Sequence, residues 1–247
     1  MRVARALLIA VAFATRIPVR IGSVRQTELA EGLSALPLVG FVVGAVSFGL
    51  CALTAPYLGD ALAAIAAVGF SALITGGLHL DGLADWFDAL GGGRGDRQRM
   101  LDIMRDSRIG AHGASALIIV LLAKVAALAE LSGSDRLLAL CAAPAAARLT
   151  AVWLLYSLPA ARSDGLGHGM GAGLAQKHVW MASAAFVLTT VWLGPALFWP
   201  SLVALVTAAT IGWQARALLG GVTGDVCGAA IELAELAFLL ACRAQAA

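Results

Sequence analysis

Three carboxylates fall in one short run, His79-Leu80-Asp81-Gly82-Leu83-Ala84-Asp85-Trp86-Phe87-Asp88. Asp81, Asp85 and Asp88 are spaced i, i+4, i+7, which on a helix sets them on one face. Like charges on one face repel each other unless a cation lies between them. A donor set made only of oxygen suits Mg2+, Mn2+ or Ca2+ better than zinc. A solvated acidic face would be interleaved with Lys or Arg, but Leu83, Ala84, Trp86 and Phe87 intervene. His79, two residues before Asp81, is open to three roles at this level: base, metal ligand or cap.

Further groups of the same kind follow. Gly91-Gly92-Gly93 turns the segment, which resumes from Asp96 to Asp106; Asp102, with Arg99 and Arg105 beside it, reads as part of a surface pair. Asp106-Ser107-Arg108-Ile109-Gly110 gathers an acid, a hydroxyl and a guanidinium at a turn, which suits phosphate oxygens; a helix N-terminal cap is the competing reading. Gly220-Gly221-Val222-Thr223-Gly224-Asp225 is a glycine-rich turn opening a helix, where free N–H groups attract an anion. Asp225 and Glu232 are seven apart and share a face if that helix continues. Glu232 and Glu235 lie in an apolar stretch, where acids are costly and point to function. Lys124 and Arg148 lie far from the ends of apolar spans, so each should face an anionic ligand or these acids. No nucleophile–base pair and no P-loop is legible. Metal-binding acids with Arg, Lys and glycine turns suit Mg-dependent phosphoryl transfer, in which positioning and charge stabilisation carry most of the catalysis.

The elements that must hold these residues are set by composition. The chain is 247 residues, 60% hydrophobic and 13% charged, with a mean hydropathy of +0.88, against about 25% charged in a typical soluble domain. Too little polar surface remains to cover a water-facing globule, so the solvent is lipid. Runs of about 20 apolar residues cross a bilayer. The candidates are Leu33–Leu58, Ala61–Leu78, Ala111–Leu131, Leu137–Leu158, Val179–Leu193, Ser201–Leu219 and Gly228–Ala241; the fifth and last are short, and the last is open to being a partly buried helix instead of a full span. The fold class expected is all-α: a polytopic integral membrane bundle of about six to seven transmembrane helices plus an amphipathic N-terminal helix. The chain, 1–247, forms a single membrane-embedded catalytic domain.

Basic residues set the orientation. With the N-terminus in the cytoplasm, thirteen Lys and Arg fall on that side and only Arg136 and Arg243 outside. This makes 79–110 a cytoplasmic segment, together with the 159–178 and 216–227 loops. The run Ala6–Ala14 resembles a signal peptide with an Ala-x-Ala end, but the charge bias fits better with its retention. Cys51, Cys141, Cys227 and Cys242 show no pairing pattern. His112, His168 and His178 read as interface residues. A net charge of +2 and the lack of a basic-aromatic patch give no sign of a nucleic-acid partner. Homo-oligomerisation is left open.

Several motifs together resemble the cobalamin synthase family, adenosylcobinamide-GDP ribazoletransferase. They are Phe13-Ala14-Thr15-Arg16-Ile17-Pro18-Val19, Pro37-Leu38-Val39-Gly40, Thr75-Gly76-Gly77-Leu78-His79-Leu80-Asp81-Gly82-Leu83-Ala84-Asp85 continuing to Asp88, Ile103-Met104-Arg105-Asp106-Ser107-Arg108-Ile109-Gly110, Lys124, and Gly221-Val222-Thr223-Gly224-Asp225-Val226 followed by Glu232. They span nearly the whole chain in family order. Trp86-Phe87 and Arg105 are mild departures.

The resemblance implies the last step of nucleotide-loop assembly in cobalamin synthesis. Adenosylcobinamide-GDP reacts with α-ribazole, or its 5′-phosphate, to give adenosylcobalamin, or its 5′-phosphate, and GMP. It also implies Mg2+ as cofactor, held on the diphosphate by Asp81, Asp85, Asp88 and Asp225 with help from Glu232. Asp106, Ser107, Arg108, Lys124, Arg148 and Thr223 would meet phosphate or substrate, and Asp88 or His79 would take the hydroxyl proton.

Three other classes compete. A CDP-alcohol phosphotransferase needs Ala-Arg soon after its Asp-Gly pair, and here Leu83-Ala84-Asp85 follows Asp81-Gly82. A prenyltransferase also holds Mg-diphosphate on paired Asp motifs. A cation-coupled transporter could use the intramembrane charges but has no need of the Arg-bearing 79–110 segment.

Overall fold

A computed structural model describes residues 2–246 apart from Ser132, Asp164 and Gly165. Among the described residues the regular structure is helical, save an isolated parallel bridge between Ala160 and Val222. In order come α1 (Arg2–Ala14), α2 (Gln26–Ser34), α3 (Leu36–Leu58), α4 (Asp60–Ile74), α5 (Leu78–Gly93), α6 (Arg97–Ile103), α7 (Ala111–Ala129), α8 (Gly133–Ser157), α9 (Leu166–Gly171), α10 (Gln176–Thr190), α11 (Phe198–Leu219) and α12 (Gly224–Ala246).

Four helices are long and apolar enough to cross a bilayer: α3, α7, α8 and α11 with the short turn before it. α8 is the hub. Its apolar stretch is 78% buried, against 33–44% for the other three, and it packs on α3, α10, α11 and α12. The outer helices leave Leu53, Ile118, Ile119, Leu122, Val206 and Trp213 exposed. Water would penalise that surface and lipid tails would not. The expected helical membrane bundle is therefore present. α1 lies on α2 with Ile9, Ala10 and Ala14 buried and Val3 and Leu8 exposed, as an amphipathic helix should.

Three of the expected spans take a different form. The 61–78 span ends at Ile74, because Gly76 and Gly77 adopt φ of +65° and +70°. Left-handed backbone of this kind suits glycine and ends a helix. The chain leaves at 90° as α5, so the acidic motif runs on the second leg of a bent helix pair rather than in a straight span. α10 is a 15-residue helix followed by short 3-10 turns. α12 is a 23-residue helix buried along most of its length against α5, α8 and α11. It gains its burial from protein rather than lipid, which is why it can carry Asp225, Glu232 and Glu235.

The two ends of the bundle differ. At one end the two basic residues are paired, Arg136 with Asp60 at 2.7 Å and Arg243 with Glu130 at 2.6 Å. The other end gathers the loops rich in Arg. There Arg97 donates to the carbonyls of Leu219 (2.8 Å) and Ala161 (2.6 Å), tying α6 to the end of α11 and the loop after α8. His178 is buried and His112 exposed; the side chain of His168 lies outside the described residues.

Candidate active site

The site is built where α5 crosses α12. A Cβ on Gly82 would lie 2.7 Å from the carbonyl oxygen of Asp225, and one on Gly228 would lie 3.2 Å from the Cα of Gly82. Neither helix tolerates a side chain at the crossing, so the two backbones meet directly. That contact brings Asp81 and Asp85 of α5 to Asp225 in the first turn of α12. The Asp-Gly pair at 81–82 and the glycine at 228 are two halves of one device.

Asp225 is held in place. Arg162 Nη2 lies 2.5 Å from its Oδ2, and Thr223 Oγ1 donates to the same oxygen at 3.2 Å. The Thr223 hydroxyl also accepts from the Val226 N–H at 3.2 Å, which caps α12. Burial raises the Asp225 carboxyl above its ordinary range, with Arg162 pulling the other way. Asp85 is raised to about 7, first by burial and then by the carboxylates of Asp81, Asp225 and Asp88. Like charges gathered in a partly dry place have this effect.

Asp81, Asp85 and Asp225 line an open cleft of about 870 Å3. Arg16, Arg105, Asp106, Ser107 and Arg108 line it too. Asp106 and Arg108 form a bidentate pair, with contacts of 2.9 and 2.5 Å. The Arg108 guanidinium holds the Asp106 carboxyl down at about 2. An enclosed pocket of about 180 Å3 adjoins the cleft and shares Asp81, Asp225, Phe13 and Leu78 with it. His79, Arg148 and Thr223 also line this pocket.

Some expected site residues are elsewhere. Asp88 is buried and does not reach the cleft. Its oxygens accept from the N–H of Gly110 at 2.7 Å and of Gly113 at 2.8 Å. It caps α7 from a neighbouring helix, where a negative charge meets the helix dipole. The i, i+4, i+7 face is thus split: two acids open to the cleft, one against the start of α7. Glu232 is also away from the cleft. Lys124 Nζ lies 2.6 Å from Glu232 Oε2 and 3.1 Å from Glu235 Oε1, all three side chains being nearly inaccessible. Of the two partners open to Lys124, an anionic ligand or the acids, the structure gives it the acids. Arg148 donates to the carbonyl of Pro144 at 3.0 Å, and its Nε has no partner.

Two residues not singled out for the site stand in it. Arg16 lies over Gly76, where a Cβ would meet its side chain, and lines the cleft. It belongs to the Phe13–Val19 motif, which was the available signal. Arg162 sits in a loop with no motif and gave none.

Among the described residues no three His, Cys, Asp or Glu side chains stand close enough to hold a metal ion by themselves. Mg2+ usually takes one or two carboxylates and completes its shell with water and substrate phosphate. Asp81, Asp85 and Asp225 are oxygen donors of the kind that mode takes one or two at a time, and Asp225 is paired with Arg162.

Comparison with known proteins follows the same lines. The family described as Cobalamin-5-phosphate synthase matches residues 6–243. A Klebsiella pneumoniae (strain 342) protein named Adenosylcobinamide-GDP ribazoletransferase is 43% identical over 94% of this chain and 96% of its own. A Citrobacter koseri protein of the same name is 41% identical over 87% of this chain and 88% of its own. No solved structure matches the chain.

Proposed function

The chain belongs to the cobalamin-5-phosphate synthase family, and we infer from that premise that it is a membrane transferase acting on adenosylcobinamide-GDP. The acceptor is α-ribazole or its 5′-phosphate, and the products are adenosylcobalamin, or its 5′-phosphate, and GMP. The observation that supports this chemistry is the cleft in which Asp81, Asp85 and Asp225 stand with Arg16 and Arg108. Acids for a cation and guanidinium groups for phosphate oxygens are what a nucleoside diphosphate ester requires.

In the reaction, a ribose hydroxyl oxygen attacks the phosphorus attached to the cobinamide arm. A new P–O bond forms, and the bond from that phosphorus to the bridging oxygen breaks. GMP leaves with that electron pair. A divalent cation bound at Asp81, Asp85 and Asp225 would neutralise the diphosphate oxygens and ease departure of GMP. Arg162 keeps Asp225 ionised and aimed at the cleft. Arg108 and Arg16 meet phosphate charge. Asp85, one helical turn from Asp81, takes the hydroxyl proton on the carboxylate oxygen that the cation leaves free. Asp88 acts through others, fixing the 106–108 turn by capping α7.

The orientation proposed is N-terminus and cleft on the cytoplasmic side of the bacterial inner membrane, by the Lys and Arg bias. Soluble nucleotide substrates can reach the cleft there. The test is direct. Purified protein in nanodiscs is given adenosylcobinamide-GDP, α-ribazole and Mg2+, and GMP and the corrinoid product are measured. Absence of turnover in a folded sample would sink the assignment.

A further inference from the structure

The cleft and the enclosed pocket meet at Asp81 and Asp225, but their linings differ. The cleft is wide and carries the guanidinium groups of Arg16 and Arg108. The pocket, about 180 Å3, has a mainly apolar wall of Phe13, Leu36, Leu78, Ala151, Leu155 and Ile231, with Arg148 and Arg162 among its polar groups. Drug-sized ligands occupy about 300–1,000 Å3, so the pocket suits a fragment the size of one fused bicycle. A corrinoid is far too large for it, and a diphosphate would lose its hydration against an apolar wall.

Two polar groups in this pocket want partners. His79 is 93% buried by its 7% relative exposure, and its imidazole has no hydrogen bond among the described residues. Arg148 is 1% exposed and its Nε is without a partner; with His79 it also borders a small polar cavity beside Lys124, Glu232 and Glu235. A buried donor left unpaired is costly, so the occupant should present an acceptor there. A benzimidazole nucleoside has that pattern: a flat apolar bicycle with one free ring nitrogen as acceptor, and a polar ribose at the other end.

We propose that the enclosed pocket between α5, α8 and α12 is the acceptor subsite, taking the benzimidazole of α-ribazole with its free ring nitrogen at His79. The ribose then points outward to Asp81, Thr223 and Asp225, where the attacking hydroxyl meets the phosphorus held in the cleft. Phe13 of α1, which lines both cavities, is the partition between base and donor. This deepens the function given above and rests on it.

Steady-state kinetics in nanodiscs, with each substrate varied in turn, tests the division. Ala151→Leu fills the pocket wall, Leu155→Ala opens it, and His79→Phe keeps bulk while removing the ring N–H. Each raises the KM for α-ribazole, about tenfold for Ala151→Leu and His79→Phe, and leaves the KM for adenosylcobinamide-GDP within twofold. Wild-type turnover with no shift in α-ribazole KM in folded variants overturns the subsite, as does an equal rise in donor KM. If Ala151→Leu does not fold, the other two carry the test. Equilibrium dialysis of α-ribazole with wild-type protein and no donor separates the two readings. Binding that His79→Phe weakens supports the pocket even if turnover fails, and retention unaltered by His79→Phe refutes it.

Discussion

Asp88→Asn separates a capping acid from a metal-binding one. The carboxylate accepts from Gly110 N at 2.7 Å and Gly113 N at 2.8 Å, in a buried place. A carboxamide keeps one acceptor oxygen but turns its NH2 toward the second N–H. One charge-assisted bond, about 1.5–3 kcal/mol, is lost. The charge at the start of α7 goes with it, about 0.3–1 kcal/mol. The sum is roughly 2–4 kcal/mol, and at about 2–4 °C per kcal/mol for a chain of this size the Tm falls by about 4–16 °C. The freed 106–108 turn should also raise the KM for adenosylcobinamide-GDP, while the Mg2+ concentration for half-maximal rate stays put. Thermal unfolding in detergent and Mg2+ titration of turnover measure both. An unchanged Tm with weakened Mg2+ dependence would show Asp88 to be a ligand and refute the capping account.

Other outcomes follow from the same geometry. Because Asp85 is held up to about 7, protons compete with the cation below that pH. The Mg2+ needed for half-maximal rate should rise toward tenfold per unit as pH falls below about 7 and stay level above it; a slope that survives in Asp85→Asn would reject this. Lys124→Met strands Glu232 and Glu235 without their ammonium and should destabilise by about 3–5 kcal/mol. Removing all three charges together should cost less, by thermal unfolding; normal stability with a raised donor KM would return Lys124 to phosphate binding. The native cysteines are all buried, so introduced ones report topology cleanly. Gln98→Cys should resist an impermeant reagent added outside intact cells while Tyr57→Cys, at the opposite end, reacts; the reverse pattern inverts the protein.

The residues whose partners lie close in sequence were the legible ones. Asp81 and Asp85 share a helix face by spacing alone, and both reach the cleft. Asp225 followed because a glycine-rich turn announces a helix start. Asp88 was misplaced because its partners, Gly110 and Gly113, lie more than twenty residues away, and helical spacing says nothing of what packs on the face. The intramembrane charges were recognised as costly, but only packing could show that Lys124 and Glu232, 108 residues apart, neutralise each other. Hydropathy counts apolar residues without direction, so it ran the 61–78 span through the bend at Gly76 and Gly77. Arg162 sits in an irregular loop, brought to Asp225 by the short bridge between Ala160 and Val222.

We propose that Asp81, Asp85 and Asp225 complete a metal site only when the donor's diphosphate is present. Mn2+ binding followed by electron paramagnetic resonance tests it, with Mn2+ standing in for Mg2+. Binding should be weak to the protein alone and at least tenfold tighter with adenosylcobinamide-GDP, and Asp81→Ala and Asp85→Ala should lose that gain. Equal Mn2+ affinity with and without the donor, or an undiminished gain in both variants, would contradict it.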